Sequence, residues 1–410
     1  MEVLHPVCAG LDIHKESVVA CVRHMAQGKV TTVVKTFKTT TEALLALSEW
    51  LAQHSTTHIA MEATGVYWKP VWHILSDGEF QLVLANAAHV KNVPGRKTDV
   101  NDAMWLADLM AHGLIRASFV PDEPTQQMRD LLRTRKQLVR ERSSHTQRIQ
   151  KTLEDANIKL DTVVTDILGL SGRRILEALI AGQTMPQALA TLAHRNVKAS
   201  AADLEASLRG RVTAHHCFLL KLHLDQIAAI DAAIASIDKE VEGNIEPFRQ
   251  AIEQLSAIPG FSQLAARVVV SEIGIDMSRF ETAGHLVSWA GLCPRNDESA
   301  GKRRSTRMKK GAPWLKTVLI QCAWAAARTK GSYFQAQYHR LRSRSGAKKA
   351  IGAVAAALLT TAYHMLKNGT LYQDLGPNHF DQQAKQRHVL RLLNRLENLG
   401  FEVQITPKAA

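Results

Sequence analysis

The sequence predicts an α/β domain of RNase H-like type at the N-terminus, a long helical coiled-coil middle, and a mostly α C-terminal domain. Three observations lead there. Short β-branched runs alternate with helical segments over the first 110 residues or so. From Pro124 onward, apolar residues recur at helical spacing over long stretches. After residue 250, a Pro-Gly turn separates two apolar helices.

Val7–Leu11, Val18–Val22 and Thr31–Phe37 read as strands, being β-branched runs bounded by charges or turn residues. Thr41-Glu42 opens a helix with Leu44, Leu45, Leu47 and Leu51 on its apolar side. His58–Met61 is a fourth strand, Tyr67–Leu75 a helix closing near Gly78, and Gln81–Ala85 a fifth strand. Pro94-Gly95 breaks the chain before a helix over Asp99–Met110. Consecutive strands followed by alternating helix and strand predict a mixed sheet with helices on its faces.

Met128–Ile158 reads as one long helix. Between Arg129 and Lys151 it carries eight Lys or Arg against two acids, a net +6. That density predicts contact with a nucleic-acid backbone through Arg129, Arg133, Arg135, Lys136, Arg140 and Arg142. Leu220–Ile245 is a second long helix. Its residues Ile227, Ile230, Ile234, Ile237 and Val241 step by three and four, a heptad seam for another helix of this chain or of a second copy. Ile258-Pro259-Gly260-Phe261 resembles the turn of a helix-hairpin-helix, whose amides hold a phosphate. The following loop, Pro294–Gly311, holds Lys302, Arg303, Arg304, Arg307, Lys309 and Lys310. Ala350–Leu366 is uncharged and Ala-rich, too short and too weakly apolar for a membrane span, so a buried helix is expected. The expected boundaries are 1–123, 124–250, 251–370 and a C-terminal extension over 371–410.

Composition narrows the function. Lys plus Arg number 51 and Asp plus Glu 38, a net +13 that calls for a polyanionic partner. With membranes set aside, nucleic acid leads. Five cysteines without a CxxC exclude a disulfide scaffold and a zinc finger, and suit a reducing cytoplasm. Glu2, His5, Asp12 and Lys15 interrupt any apolar leader. No GxxxxGK[ST] is present, so no P-loop motor is implied. His215, His216, Cys217 and His223 have no second ligand cluster and read as packing or surface residues.

The acids are more pointed. Asp12 ends the first strand, Glu62 the fourth, and Asp99 and Asp102 stand i, i+3 at a helix start. Alone, each is a turn former or a complement to the helix dipole. Together, in one α/β domain and at strand ends, they make a candidate site for a hard divalent cation such as Mg²⁺.

Gly10-Leu11-Asp12-Ile13-His14-Lys15, Met61-Glu62-Ala63-Thr64-Gly65-Val66-Tyr67-Trp68 and Lys97-Thr98-Asp99-Val100-Asn101-Asp102-Ala103 resemble, in order and spacing, the three motifs of the DEDD-type bacterial insertion-sequence transposases. Ser288-Trp289-Ala290-Gly291-Leu292-Cys293-Pro294, Ser299-Ala300-Gly301-Lys302-Arg303-Arg304 and Lys310-Gly311 resemble that family's second domain, as do Ile258–Phe261 and Glu272-Ile273-Gly274. The resemblance covers roughly 1–160 and 250–370. It implies a RuvC-like first domain with Asp12, Glu62, Asp99 and Asp102 as Mg²⁺ ligands. It implies Ser299 as a nucleophile that forms a phosphoserine link to DNA, with Ser288 and Ser305 as the other hydroxyls nearby. The family usually reads Ser-Gly where this chain has Ser299-Ala300. His285 is the nearest histidine to the loop. The implied partners are double-stranded DNA at element ends and target, a structured non-coding guide RNA, and further copies of the chain as a dimer or tetramer. The implied location is the bacterial cytoplasm at the nucleoid. Two other readings fit the same residues: a metal-only RuvC-like nuclease or Holliday-junction resolvase, and a non-catalytic nucleic-acid-binding protein.

Overall fold

The computed structural model describes residues 2–62, 65–85, 99–295, 297–305, 307–309, 311–400 and 402; the side chains at 99–101, 297–299, 303, 304, 384 and 386–388 lie outside that description. The chain divides into two units, Met1–Val120 and Pro121–Ala410.

In the first unit, β1 (Val7–Ile13), β2 (Ser17–Ala26) and β3 (Lys29–Lys38) run in sequence. Then come α1 (Thr41–Gln53), β4 (His58–Glu62), α2 (Trp68–Ser76), β5 (Gln81–Ala85) and α3 (Asp99–Ala111). The sheet order is β3-β2-β1-β4-β5. β1, β2 and β3 are antiparallel neighbours, whereas β1–β4 and β4–β5 are parallel. This mixed five-stranded sheet is consistent with the RNase H-like domain expected from the sequence.

Side chains alternate across the pleat, so each strand feeds two cores. Ala9, Leu11, Ile13, Val18, Ala20, Val22, Ile59 and Met61 pack with Leu44, Leu47 and Leu51 of α1 and Val71 and Leu75 of α2. On the other face, Cys8, Ala60 and Ala85 pack with Leu106, Leu109 and Met110 of α3, while Val19 and Cys21 meet Ala103 and Ala107. Gly10 explains how closely α3 lies. A Cβ there would stand 2.2 Å from the Ala103 carbonyl oxygen and 2.5 Å from the Ala107 nitrogen. Burial pushes the Cys8 and Cys21 thiols up to about 11, so both serve this core as inert apolar groups.

The second unit opens with α4 (Glu123–Asp155), which starts earlier than expected because Pro124 lies inside its first turn. It runs antiparallel to α9 (Ala214–Gly243), since Arg135 pairs with Asp238, Arg142 with Asp231, and Asp155 with His216. Four short helices lie between them: α5 (Leu160–Val163), α6 (Leu170–Ile180), α7 (Pro186–Ala190) and α8 (Ala201–Ser207). They share a core with the far end of the pair, including Ile149, Leu153, Ile175, Leu176, Leu220 and Ile227. Ile227, Ile230 and Val241 of the heptad seam are buried within this chain.

After α9 come α10 (Arg249–Ser256), α11 (Gln263–Ile273) and α12 (Ala283–Trp289), then β6 (Asp297–Ser299) and β7 (Lys302–Ser305). α13 (Pro313–Ala326), α14 (Tyr333–Ser345), α15 (Ala347–Asn368) and α16 (His379–Glu397) complete the chain. α15 is the one described helix long and apolar enough to cross a bilayer, and more than half of its apolar window is buried. It is the central core helix of this region, with Ile351, Val354, Leu358 and Tyr363 fully enclosed. The Tyr363 hydroxyl donates to the Phe280 carbonyl at 3.0 Å. In the α10–α11 turn, Gly260 (φ +88°) lies against α13, where a Cβ would be 2.4 Å from the Cys322 carbonyl. Ser262, in the position where a helix-hairpin-helix usually has its second glycine, instead caps α11 by accepting from the Ala265 amide at 3.2 Å.

Candidate active site

The parallel register Gly10↔Ala60 and Leu11↔Met61 carries Asp12 and Glu62 to equivalent positions at the carboxyl ends of adjacent strands. Pleating puts both on the face of Cys8, Gly10 and Ala60, which is the face α3 covers. Asp102 precedes Ala103, the residue whose carbonyl meets Gly10, so the same close approach holds Asp102 near the end of β1. Asp99 begins that helix, but its side chain lies outside the described residues.

Asp12 is mostly enclosed and its Oδ2 lies 3.2 Å from His14 Nε2. The sequence reading passed over His14. The signal available was its place two residues after Asp12, just past the end of β1. A second anchor was also missed: Arg23, buried on β2, has its Nε 3.2 Å from Asp108 Oδ1 on α3. Gly10 and the Arg23–Asp108 pair together fix where α3 sits. Among the described residues no three His, Cys, Asp or Glu side chains stand close enough together to hold a metal ion.

The stretch expected as a loop, Pro294–Gly311, is a β-hairpin. Ser299 ends β6 and is paired with Lys302 across the two-residue turn Ala300-Gly301. Both turn residues have positive φ, 51° and 73°, as a type I′ turn requires. The ladder continues outward through Arg295 N to Arg307 O (2.9 Å) and Lys309 N to Cys293 O (3.1 Å). At its base Gly291 and Gly311 touch backbone to backbone, for a Cβ on Gly311 would be 2.4 Å from the Gly291 nitrogen. These contacts explain two of the motif glycines.

Lys302, Arg307 and Lys309 are exposed; the side chains of Ser299, Arg303 and Arg304 and all of Lys310 lie outside the described residues. Ser288, on α12, accepts from Lys309 Nζ at 3.4 Å, and Ser305 accepts from the Arg307 amide at 3.2 Å. His285 Nδ1 stands 3.3 Å from Glu281.

Several cations of α4 have partners within this chain. Arg133 donates both Nε and Nη2 to the fully buried Glu272 carboxylate at 2.8 Å. Arg129 donates to the Ser271 and Glu272 carbonyls. Arg135 and Arg142 pair with Asp238 and Asp231. Four of the six expected backbone-binding cations therefore join α4 to α9 and α11. Lys136 and Arg140 pair with no carboxylate among the described residues. The histidine cluster is structural too: His216 completes a capping box with Thr213, Cys217 bonds the Leu179 carbonyl, and His223 meets His145.

Two family models match the chain. One, described as a transposase, covers residues 9–158, and the other, described as the transposase IS116/IS110/IS902 family, covers residues 252–339. A putative transposase y4qE of Sinorhizobium fredii is 25% identical over 275 residues, covering 66% of this chain and 58% of that protein. An uncharacterized 43.6 kDa protein of insertion element IS110 from Streptomyces coelicolor is 25% identical over 308 residues, covering 69% of this chain and 74% of that protein. The chain thus matches less than two thirds of the length of the first relative.

Proposed function

This chain belongs to the IS110 family of insertion-sequence transposases, and on that premise we propose that it cuts and rejoins DNA strands at the ends of a mobile element and at its target. One observation carries the reading: Asp12 and Glu62 share a face at the ends of adjacent parallel strands, under the helix that bears Asp99 and Asp102. Asp12, Glu62, Asp99 and Asp102 would hold a hard divalent cation such as Mg²⁺, whose preference is for oxygen donors, once Asp12, Glu62 and Asp102, which do not form a metal cluster here, are drawn together. Such an ion, when bound, supplies Lewis acidity at a phosphate oxygen. His14 orients Asp12, and Gly10 with Arg23 and Asp108 keeps Asp102 at the end of β1.

Ser299 is the nucleophile in this reading. Its hydroxyl oxygen bonds to phosphorus while its proton passes to a base. The bond from phosphorus to one sugar oxygen breaks, and that oxygen takes up a proton. Reversal with a different sugar hydroxyl rejoins the strands, with no ATP needed because the ester conserves the bond energy. Lys302, Arg303, Arg304, Arg307, Lys309 and Lys310 neutralise the phosphate. A structured RNA of the element guides the choice of DNA, and the chain works as a homo-oligomer in the bacterial cytoplasm.

The test is a denaturing gel of the full chain with element-end DNA, with and without EDTA. Wild type with Mg²⁺ should yield a covalent protein–DNA adduct, and Ser299→Ala should yield none. An adduct that survives in Ser299→Ala, or maps to Ser288 or Ser305, shows that another hydroxyl attacks. Metal-dependent cleavage with no adduct favours hydrolysis by a RuvC-like nuclease.

A further inference from the structure

The chain's positive excess is not spread evenly. Residues 299–373 hold fifteen Lys or Arg and no Asp or Glu, so this stretch alone exceeds the net +13 of the whole chain and leaves the remainder slightly acidic. Among the described residues, none of these cations pairs with a carboxylate. Four of them crowd the junction of α14 and α15. Arg342 and Arg344 occupy the last turn of α14, and Lys348 and Lys349 the first turn of α15, all of them exposed. Between them Gly346, at φ +80°, ends one helix and starts the next. The arginines suit their place, because cations complement the carboxyl end of a helix. The lysines do not. They stand at the positive end of a 22-residue helix whose first turn holds no acid and no side-chain cap. Arg340, one turn back, is committed elsewhere, lying over the Phe380 ring at 4.4 Å.

The junction adjoins the hairpin. Met308, bridged to Pro294 beyond β7, lies across α15 at Gly352, where a Cβ would stand 3.1 Å from its Sδ. Lys348 and Lys349 precede Gly352 by four and three residues, so they share its face, one turn nearer the amino end. Met308 itself stands between the exposed Arg307 and Lys309. An anion complements lysines set at a helix's own positive end, together with the uncapped amides beside them. We propose that the α14–α15 junction is a second phosphate-binding site, which grips the DNA backbone a few nucleotides from the phosphate attacked at the hairpin. Lys348, Lys349, Arg342 and Arg344 take neighbouring phosphates, with the first-turn amides of α15 among them. Backbone contacts of this kind carry no sequence information, so the site holds the strand in place while other contacts choose it. This inference rests on the transposase reading above and adds to it a site for the flanking DNA.

The test compares full-length wild type, Lys348→Ala/Lys349→Ala, Arg342→Ala/Arg344→Ala and, as a control for charge alone, Arg328→Ala/Lys330→Ala from the same acid-free stretch. Each is titrated with a random-sequence DNA duplex and with a hairpin RNA over a range of salt. The lysine variant and the arginine variant should each flatten the slope of log affinity against log salt on the duplex by about 1.8, at about 0.9 per phosphate contact. The control should keep the wild-type slope. Ethylation interference on element-end DNA then locates the lost contacts: phosphates beside the strand cut should matter to wild type and cease to matter to the lysine variant. The melting temperature of the free lysine variant should hold or rise, because two cations leave the positive end of α15. A fall would show that the lysines serve the fold, and overturns the proposal. So do slopes no flatter than the control's, a loss confined to the RNA, or an unchanged interference pattern. Wild type that binds neither duplex nor RNA overturns the transposase reading itself. Wild type that binds and cleaves DNA with all variants alike overturns only this inference.

Discussion

Replacing Gly10 by alanine tests how the carboxylate site is built. The new Cβ would lie 2.2 Å from the Ala103 carbonyl oxygen, 2.5 Å from the Ala107 nitrogen and 2.8 Å from Leu106 Cβ. Ordinary contact begins near 3.4 Å, so α3 must lift by about 1.2 Å. Two of the three obstacles are backbone, and no side-chain rotation relieves them. Overpacking costs about 1–3 kcal/mol, and a backbone clash belongs at the upper end of that range. For a unit of this size, about 3 kcal/mol lowers its melting temperature by about 10 °C. Asp102 moves with the helix while Asp12 stays on its strand. A displacement of about 1 Å between groups that act together costs on the order of 100-fold in rate. Differential scanning fluorimetry and single-turnover cleavage at a temperature where the variant is folded read the two effects separately. A Gly10→Ala protein that melts and cleaves like wild type would refute the claim that this glycine sets the distance.

Three further outcomes are expected. Glu272→Gln removes the buried partner of Arg133 and should destabilise the second unit by about 3 kcal/mol in urea unfolding; a loss under about 1 kcal/mol would show that the pair is dispensable. Ala300 holds a left-handed conformation that glycine adopts without strain, so Ala300→Gly should slow amide exchange in the β6–β7 hairpin, equivalent to about 1 kcal/mol; faster exchange would contradict the turn geometry. Burial, reinforced by His145 and Arg148, holds the His223 imidazole below its ordinary 6.5. The unfolded chain therefore takes up the proton first, and the stability from neutral His223 is intact above about 6.5 and lost as pH falls toward the lower folded value. Urea midpoints at pH values on either side of that range should diverge in wild type and converge in His223→Gln.

Much of the first unit was legible because its information is local. Period-two β-branched runs mark β1, β2 and β3, and a carboxylate at a strand end is readable once the strand is. The helical second unit was legible in its long elements and less so in their contacts. Of the eight cations between Arg129 and Lys151, Arg133, Arg135 and Arg142 are answered by acids that lie far along the chain: Asp231 is 89 residues from Arg142, Asp238 is 103 from Arg135, and Glu272 is 139 from Arg133. The β6–β7 hairpin was read as a loop because Lys, Arg, Ser and Asp have weak strand preference. What holds it is the Gly291–Gly311 backbone contact at its base, a tertiary fact. The helix expected from Met128 begins five residues earlier, with Pro124 in its first turn.

The antiparallel pair α4–α9 also bears on the order of folding. Its cross-links close progressively longer loops from one end to the other: 61 residues for Asp155–His216, 78 for His145–His223, 89 for Arg142–Asp231 and 103 for Arg135–Asp238. Made first, the last of these would carry the full closure entropy of its loop. The far end holds the core around Ile149, Leu153, Ile175, Leu176 and Leu220, so it has the apolar surface to close alone. Once it has closed, each later pair adds only a small increment, because closure entropy grows with the logarithm of length and a doubling costs about 0.6 kcal/mol. Loop closure therefore favours an order of pairing from the tip of the arm toward its base. Arg142 and Asp231 stand seven residues from Arg135 and Asp238, two helical turns on each strand, so the second pair closes only if the first has set the register. A slip by one turn breaks both, and the partly zipped arm proofreads its own alignment before Arg133 and Glu272 dock the base onto α11.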